Sequence, residues 1–189
     1  MPIELEIVTP KGRALKKTVE EVRAPSVEGE FGVLPGHLPL LAALRTGIVT
    51  YRESGAEHKC AVGTGFAEVG PLRDEKGADT GETKLVILTD EFTERDAIDP
   101  VIVRKDLADV QDELAKLASQ DTSADGAVAE KTRSLITREN WLAAELELYG
   151  DPPPATMRPY EQFGPSPTDD TIAPDTDASP ETSKDKTSN

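Results

Sequence analysis

Short runs in which apolar and polar residues alternate occupy the first half of the chain, residues 2 to about 92. In the first run, IELEIV, three aliphatic residues alternate with Glu4 and Glu6, which is typical of a strand with one buried and one solvated face. The same pattern predicts strands over residues 18–24, 31–34, 39–43, 48–53, 58–63, 65–69 and 85–89. Many short strands at close spacing favour an antiparallel sandwich or barrel over a parallel sheet.

Two polar interruptions of this pattern predict connections. Ser54-Gly55 lies between two strand runs and predicts a tight hairpin turn. Residues 70–84 are polar, charged and contain glycines, so we expect an extended surface loop there.

From about residue 101 to residue 149 the apolar period changes from two to about 3.6 residues, which predicts two helices. One stripe consists of Val103, Leu107, Val110, Leu114 and Leu117, and a looser one of Val128, Leu135, Leu142, Ala143, Leu146 and Tyr149. Asp99-Pro100 matches a cap followed by a first-turn proline, and Gly150 matches a helix end. The polar residues 119–126 join the helices, which predicts an antiparallel helical hairpin.

Composition separates a third region from the other two. Eight of the chain's 15 prolines lie in residues 151–189 among Asp, Ser and Thr, so this tail cannot bury enough apolar surface to fold, and we expect it to be disordered. The net charge of −15 argues against nucleic-acid binding. The lone Cys60, the lack of a signal peptide and the lack of a long apolar run predict a soluble, cytoplasmic protein that does not insert into a membrane.

The sequence contains no set of residues that predicts catalysis or a metal site. His37 and His58 have no partner at a metal-ligand spacing, and Cys60 lies in an alternating strand, where a buried, inert thiol is expected. The run GTGFAEVG lacks the spacing of a dinucleotide loop, so Gly63 and Gly65 are interpreted as a bulge or a close backbone approach. We therefore expect a non-catalytic protein without a cofactor.

Residues 28–41, EGEFGVLPGHLPLL, are here called the glycine-rich segment. Its three glycines and Pro35 predict a shaped loop that reverses direction twice, and such loops on a rigid scaffold often contact partners. A plain connection between two strands is the alternative.

Four motifs in this order, VTPKGRAL, VEEVRAPSVEGEFGVLPGHLPLLAALRTGIV, VGTGFAEV and LVILTDEFTERDAID, resemble the epsilon subunit of the F-type ATP synthase, the counterpart of the mitochondrial delta subunit. The resemblance runs from about residue 3 to residue 99 and is most specific in the glycine-rich segment. It implies a β-sandwich of about ten strands over residues 1–97 and a two-helix domain over 98–150. The tail over 151–189 is a departure from the family, as is the length of the loop predicted over residues 70–84. A stand-alone sandwich that binds proteins and carries a helical appendage is the alternative that composition and periodicity leave open.

The resemblance also implies partners and a place in the cell. In this family the sandwich is attached to the gamma subunit at the foot of the central stalk, rests on the ring of c subunits and rotates with both. We therefore expect a peripheral protein at the cytoplasmic face of the bacterial inner membrane. The docking residues that the resemblance implies are Glu30, Phe31, Gly32, Pro35, Gly36 and His37, with Glu30 facing the c ring and His37 near gamma.

Two regulatory properties of the family concern the helices. In members that inhibit ATP hydrolysis, basic side chains approach the catalytic alpha and beta subunits, and Lys131, Arg133 and Arg138 are the candidates here. A solvated helix surface with ion pairs explains the same three residues equally well. Some members bind ATP through an Ile/Leu-Asp-x-x-Arg-Ala pattern, but here four residues separate Asp99 from Arg104, which argues against ATP binding.

Overall fold

The structure, a computed structural model, describes residues 2–119 and 126–153, and it consists of ten strands followed by two helices. The strands are β1 Ile3–Thr9, β2 Gly12–Val19, β3 Glu21–Ser26, β4 Gly29–Val33, β5 Leu40–Leu44, β6 Gly47–Glu53, β7 Ala56–Val62, β8 Gly65–Arg73, β9 Asp79–Thr89 and β10 Phe92–Glu94. The helices are α1 Pro100–Ala118 and α2 Gly126–Tyr149. The predicted succession of a β-sandwich and a two-helix hairpin is confirmed.

One sheet with the order β10-β7-β6-β3-β5-β8-β9-β1-β2 folds over on itself, and β4 pairs with β3 beside it. The sheet bends from one layer to the other between β3 and β5, which pair only through Ser26 opposite Leu44. At the other end β2 lies against β6. The buried residues of every second position, such as Ile3, Leu5 and Ile7 of β1, fill the space between the two layers.

One pairing departs from the expected antiparallel arrangement. Strands β1 and β9 run parallel, with Ile3 opposite Thr83 and Val8 opposite Leu88, whereas the other pairings among the described strands are antiparallel. Period-two alternation sets which side chains face inward, but it carries no information on strand direction, so the sequence could not reveal this pair.

The strand predicted over residues 18–24 is correct for residues 21–24 but wrong in joining them to residues 18–19, which belong to β2. This range contains the end of β2, a turn and the start of β3. Strand β2 was missed because it pairs only with β1 along the sheet and buries few residues, Leu15 and Val19, while its other side chains are largely solvated. Lys16, for example, forms an ion pair with Glu4 at 2.9 Å.

The surface loop predicted over residues 70–84 is also wrong, because most of it is paired strand. Pro71 lies opposite Thr83 and Arg73 opposite Asp79, so β8 and β9 continue as a two-stranded ribbon, the β8–β9 arm, residues 71–82. At its tip the Asp74 carboxylate accepts hydrogen bonds from two backbone N–H groups, at 2.9 and 2.8 Å. Both faces of the arm are solvated, so its strands need no apolar alternation and resemble a loop in sequence.

The local signals of turns and helix ends are confirmed. Ser54 and Gly55 have φ values of +53° and +80° and connect β6 to β7, as a tight hairpin turn requires. The Asp99 side chain accepts hydrogen bonds from two N–H groups in the first turn of α1. Gly150, with a φ of +105°, ends α2 by donating its N–H to the carbonyl oxygen of Leu146 at 3.1 Å.

The helical hairpin packs on the outer face of β6 and β7. Their inward side chains, such as Val49 and Cys60, belong to the core of the sandwich, while Ile48 and Ala61 on the other face join a second apolar cluster. Ile98, just before α1, also belongs to this cluster, and the helices contribute Val103, Leu107, Trp141, Leu142, Ala144, Leu146 and Leu148. These two strands therefore take part in two cores.

Two of the sequence predictions concern residues that the structure leaves out. The joining loop over 119–126 and the disordered tail over 151–189 lie outside the described residues, except for Ser119, Gly126 and residues 151–153. The boundary between two domains at residue 97 remains a prediction.

Candidate partner-docking surfaces

The glycine-rich segment reverses direction at two places, as its sequence predicts. The first reversal joins β3 to β4, where the buried Ser26 hydroxyl donates to the carbonyl oxygen of Gly29 at 2.7 Å. The second lies between β4 and β5 at Pro35-Gly36, where Gly36 has a φ of +80°. Only glycine adopts such a backbone conformation without strain, so this residue determines the shape of the turn.

Three of the six expected docking residues lie on β4. Glu30 and Gly32 point to the solvent, while Phe31 is half-buried and packs against the sandwich core. Phe31 therefore anchors the strand that presents Glu30.

The other three docking residues form the turn that follows β4. The His37 backbone N–H donates to the carbonyl oxygen of Leu34 at 3.0 Å, and the Gly36 N–H donates to the Thr83 hydroxyl oxygen on β9 at 2.8 Å. The His37 Nδ1 atom lies 2.7 Å from the carbonyl oxygen of Leu38. The structure thus places the six residues in one continuous surface segment, with Glu30 on a strand and His37 in a turn.

Sequence reasoning missed the exposed leucines beside these residues. Leu34, Leu38 and Leu41 expose 57%, 78% and 71% of their surface. Exposed apolar side chains that lie close together often bind a partner, so this end of the sandwich is a candidate contact surface.

Leu41 also belongs to a larger apolar area on the outer face of the sandwich, here called the outer apolar patch and defined as Leu41, Phe66 and Leu88. Phe66 of β8 lies opposite Leu88 of β9, and Leu41 lies opposite Glu68, the next outward residue of β8. Phe66 and Leu88 expose 55% and 49% of their surface. The sequence contains one signal for this patch. In the apolar–polar alternation of β9, Leu88 takes a position that faces outward, next to the buried Ile87.

The two layers of the sandwich therefore differ in how their outer faces are covered. The helical hairpin covers Ile48 and Ala61 on the β6–β7 layer. Nothing in the described part of the chain covers the outer apolar patch on the β5–β8–β9 layer. The uncovered patch is continuous with the glycine-rich segment through Leu41.

The three basic residues considered for an inhibitory role are all paired within the hairpin. Lys131 forms an ion pair with Glu113 of α1, and Arg138 forms one with Asp106 of α1 at 3.6 Å. Arg133 pairs with Glu130, three residues earlier on α2, at 2.7 Å. Two of the three side chains therefore connect α2 to α1.

Asp99 and Arg104, the residues nearest to the ATP-binding pattern, also have partners within the chain. Asp99 caps α1, and the Arg104 guanidinium donates to the Asp151 carboxylate, with Nε 2.6 Å from Oδ2. This ion pair joins the start of α1 to the residue after Gly150. The expectation of no ATP binding remains a prediction.

Two carboxyl groups lie half-buried at the hairpin–sandwich seam, defined here by Glu91 and Glu145. Both line a cleft of about 530 Å³ whose wall includes Trp141. Burial raises the pKa of each carboxyl above its ordinary 4.5, and Arg138 partly opposes this in both cases. Asp90 adds to the increase for Glu91, while Glu91 and Asp106 add to it for Glu145. The charged forms of both groups therefore oppose close packing at the seam.

Cys60 and Gly65 occupy structural positions in the sandwich. Cys60 is buried in the sandwich core, and burial raises its pKa to about 12, so its thiol is protonated at neutral pH. A Cβ atom at Gly65 would lie 1.9 Å from the carbonyl oxygen of Leu88, which confirms a close backbone approach. Residues 2–119 and 126–153 contain no group of three or more His, Cys, Asp or Glu that could hold a metal, and no helix there is long and apolar enough to cross a membrane.

Comparisons with known proteins identify the family. Residues 2–73 match the family model described as "ATP synthase, Delta/Epsilon chain, beta-sandwich domain". An ATP synthase epsilon chain of Anaeromyxobacter dehalogenans (strain 2CP-C) is 39% identical over 139 residues, which cover 72% of this chain and 97% of the relative. That of Anaeromyxobacter sp. (strain K) is 40% identical over 123 residues, which cover 65% and 85%.

A solved structure has the same fold. It is a chain in a structure of the Euglena gracilis mitochondrial ATP synthase with OSCP, F1 and c-ring, and it aligns with a TM-score of 0.55 and 24% identity over 77% of this chain and 81% of that chain. Because the match to the A. dehalogenans relative extends over nearly that protein's whole length, this chain belongs to the ATP synthase epsilon chain family, whose members are non-catalytic subunits of the rotary ATP synthase.

Proposed function

We propose that this protein joins the gamma subunit to the c ring in the central stalk of a proton-translocating F-type ATP synthase. The outer apolar patch binds gamma, and the glycine-rich segment contacts the c ring through Glu30 and gamma through His37. The observation that carries this proposal is the uncovered patch of Leu41, Phe66 and Leu88, which continues into the segment in a chain of the epsilon family. In this place the subunit rotates with gamma and the c ring.

The proposed location follows from the proposed partners. The subunit lies at the cytoplasmic face of the bacterial inner membrane as a peripheral part of the complex. The experiment is co-purification from membranes through a tag on this chain, and the expected result is the recovery of alpha, beta, gamma and c subunits. Recovery of the tagged chain alone would contradict the proposal.

A pair of substitutions tests the outer apolar patch directly. Phe66→Asp places a charge at the centre of the patch and is expected to abolish gamma binding. Val101→Asp is the matched control, because Val101 is 70% exposed on α1, away from the proposed interface, and gamma binding should be retained. Equal binding of both variants to purified gamma would show that gamma binds elsewhere.

The docking residues require a different test, because a contact residue affects coupling rather than folding. Glu30 is exposed and His37 half-exposed, so replacing either with Ala is expected to shift the melting temperature of the isolated subunit by less than about 2 °C. The same variants should lower ATP synthesis per proton transported in membrane vesicles. Parallel losses of melting temperature and coupling would instead indicate that these residues support the fold.

We further propose that the helical hairpin restrains ATP hydrolysis through contacts of Lys131, Arg133 and Arg138 with acidic segments of the alpha and beta subunits. In the described conformation Lys131 and Arg138 hold α2 on α1, so separation of the helices would release both side chains together. Exposed ion pairs of this kind each contribute only about 0.2–1 kcal/mol. Breaking them so that the basic side chains can pair with acidic residues of the catalytic subunits therefore costs little free energy.

Two sets of variants distinguish a hairpin that inhibits ATP hydrolysis from one with a purely structural role. Truncation after Asp99 and the triple replacement of the basic residues by Ala should both raise ATP hydrolysis by the assembled enzyme. Glu113→Gln and Asp106→Asn break the same ion pairs with α1 but keep the positive charges of Lys131 and Arg138, so they should lower hydrolysis. If the acidic and basic variants change hydrolysis in the same direction, the ion pairs act only by holding the hairpin together.

A further inference from the structure

Thr83 on β9 is a buried polar residue at the base of the glycine-rich turn. Its side chain is only 4% exposed, and its hydroxyl oxygen accepts the hydrogen bond from the Gly36 N–H at 2.8 Å. The neighbouring hydrogen bonds of the turn, from the His37 N–H to Leu34 and from the imidazole to Leu38, are local. Thr83 therefore connects the apex of the turn to the body of the sandwich.

The turn has little else to hold its apex in place. Leu34 and Leu38 expose more than half of their surface and provide little apolar anchoring. Gly36 has access to more backbone conformations than other residues, so without a fixed partner its neighbours would sample several arrangements. A binding segment that is ordered before it meets its partner loses less conformational entropy on binding.

We propose that Thr83 is a positioning residue that holds the glycine-rich turn in its binding conformation. This inference rests on the proposed docking function of the glycine-rich segment. Thr83 lies opposite Ile3 of β1 and opposite Pro71 of β8, at the point where the β8–β9 arm leaves the sheet. The residue that accepts the Gly36 hydrogen bond, here called the Thr83 clamp, is therefore paired with a neighbouring strand on each side.

The test compares three variants of the full chain. Thr83→Val keeps the β-branched shape and removes the acceptor, whereas Thr83→Ser keeps the hydroxyl oxygen. Thr89→Val is the matched control, because Thr89 is 5% exposed on the same strand and its hydroxyl donates to the carbonyl oxygen of Glu91 at 3.0 Å, at the opposite end of β9. Gly36 lies in an exposed turn, so in Thr83→Val the turn can shift until its N–H binds water, and the melting temperature should change little.

The first measurement is the hydrogen-exchange rate of the Gly36 amide by NMR. Loss of one hydrogen bond is expected to speed exchange about five-fold in Thr83→Val. Thr83→Ser should remain close to the unchanged protein, and Thr89→Val should leave Gly36 unaffected. Unchanged exchange in Thr83→Val would overturn the inference before any partner is added.

The second measurement is the affinity of each variant for a purified gamma–c ring subcomplex that lacks this subunit. Thr83→Val should bind about five-fold more weakly, with rescue by Thr83→Ser and no loss for Thr89→Val. Leu38→Asp, in the same assay, tests docking by the turn itself and should also weaken binding. Normal binding of Thr83→Val beside weak binding of Leu38→Asp overturns the clamp alone, whereas normal binding of Leu38→Asp overturns the docking function on which the clamp depends.

Discussion

Replacing Leu142 with Ala is expected to detach the helical hairpin while the sandwich stays folded. Leu142 is 1% exposed in the cluster that joins the helices to Ile48 and Ala61. Truncation of a fully buried leucine costs about 2–5 kcal/mol, and we expect about 3 kcal/mol here because both helices and the sheet surround the site. The sandwich core lies on the other face of β6 and β7 and does not include Leu142, so its packing should remain intact.

The single tryptophan of the chain makes this prediction easy to measure. Trp141 is 5% exposed in the same cluster, so its fluorescence reports on hairpin docking, while far-ultraviolet circular dichroism in the strand region follows the sandwich. With a urea dependence of about 1 kcal/mol/M, a loss of 3 kcal/mol moves the fluorescence midpoint down by about 3 M. Leu5→Ala, in the sandwich core, is the control and should lower the strand transition.

The result that would refute the reasoning is a coincident shift of both signals in Leu142→Ala. Coincident transitions indicate a single cooperative unit. In that case residues 1–97 and 98–150 are not separate domains, and a hairpin that moves as a unit relative to the sandwich would be excluded.

Three further predictions concern single positions. Glu145→Gln should stabilise hairpin docking at pH 7, because the half-buried carboxyl has a raised pKa and opposes docking when it is charged. The gain should disappear well below pH 4.5, the ordinary pKa, where the carboxyl is protonated in both the docked and the undocked state, and a gain that grew on acidification would contradict this. Gly65→Ala should lower the free energy of unfolding by more than about 3 kcal/mol, because its Cβ atom would clash with the carbonyl oxygen of Leu88. Gly70→Ala, on the same strand, has open space for its Cβ atom and should change the free energy of unfolding by less than about 0.5 kcal/mol. Equal effects in thermal unfolding would refute the steric argument. Asp99→Ala should destabilise α1 by about 1 kcal/mol through loss of its cap, as judged by helical circular dichroism, and Asp99→Asn should retain the cap and the signal.

Sequence reasoning predicted the parts of the fold that depend on local physical chemistry. These parts include the alternation in β1 and the change of apolar period near residue 101, which neighbouring residues determine. They also include the cap at Asp99 and the helix end at Gly150, which follow from the properties of a single residue. The parallel pairing of β1 with β9 depends on contacts between distant segments and has no local signature. The β8–β9 arm was missed for the opposite reason, because solvent on both faces removes the alternation that marks a strand.

The docking surface was predictable only in part. The six residues of the glycine-rich segment were found through turn chemistry and the motif that it carries, and family membership excludes the alternative of a sandwich unrelated to rotary enzymes. The outer apolar patch requires three strands to be placed side by side, which needs the register of Phe66 with Leu88. The hydrogen bond from the Gly36 N–H to the Thr83 hydroxyl joins a turn to a strand 47 residues away, so the sequence alone does not reveal it.

The parallel pairing of β1 with β9 has a consequence for how the chain folds during synthesis. Strand β1 lies between β2 and β9, so it gains its second neighbour only after residues 83–88 have left the ribosome. Until then the nascent chain holds the β1–β2 hairpin with an open edge beside it, and contacts so distant in sequence form slowly. The two helices follow after β10, and because the hydrogen bonds within a helix are local, each helix can form as soon as it emerges, although it packs on β6 and β7. We therefore expect closure of the sheet around β1, rather than helix formation, to be the slow step in production of the mature subunit.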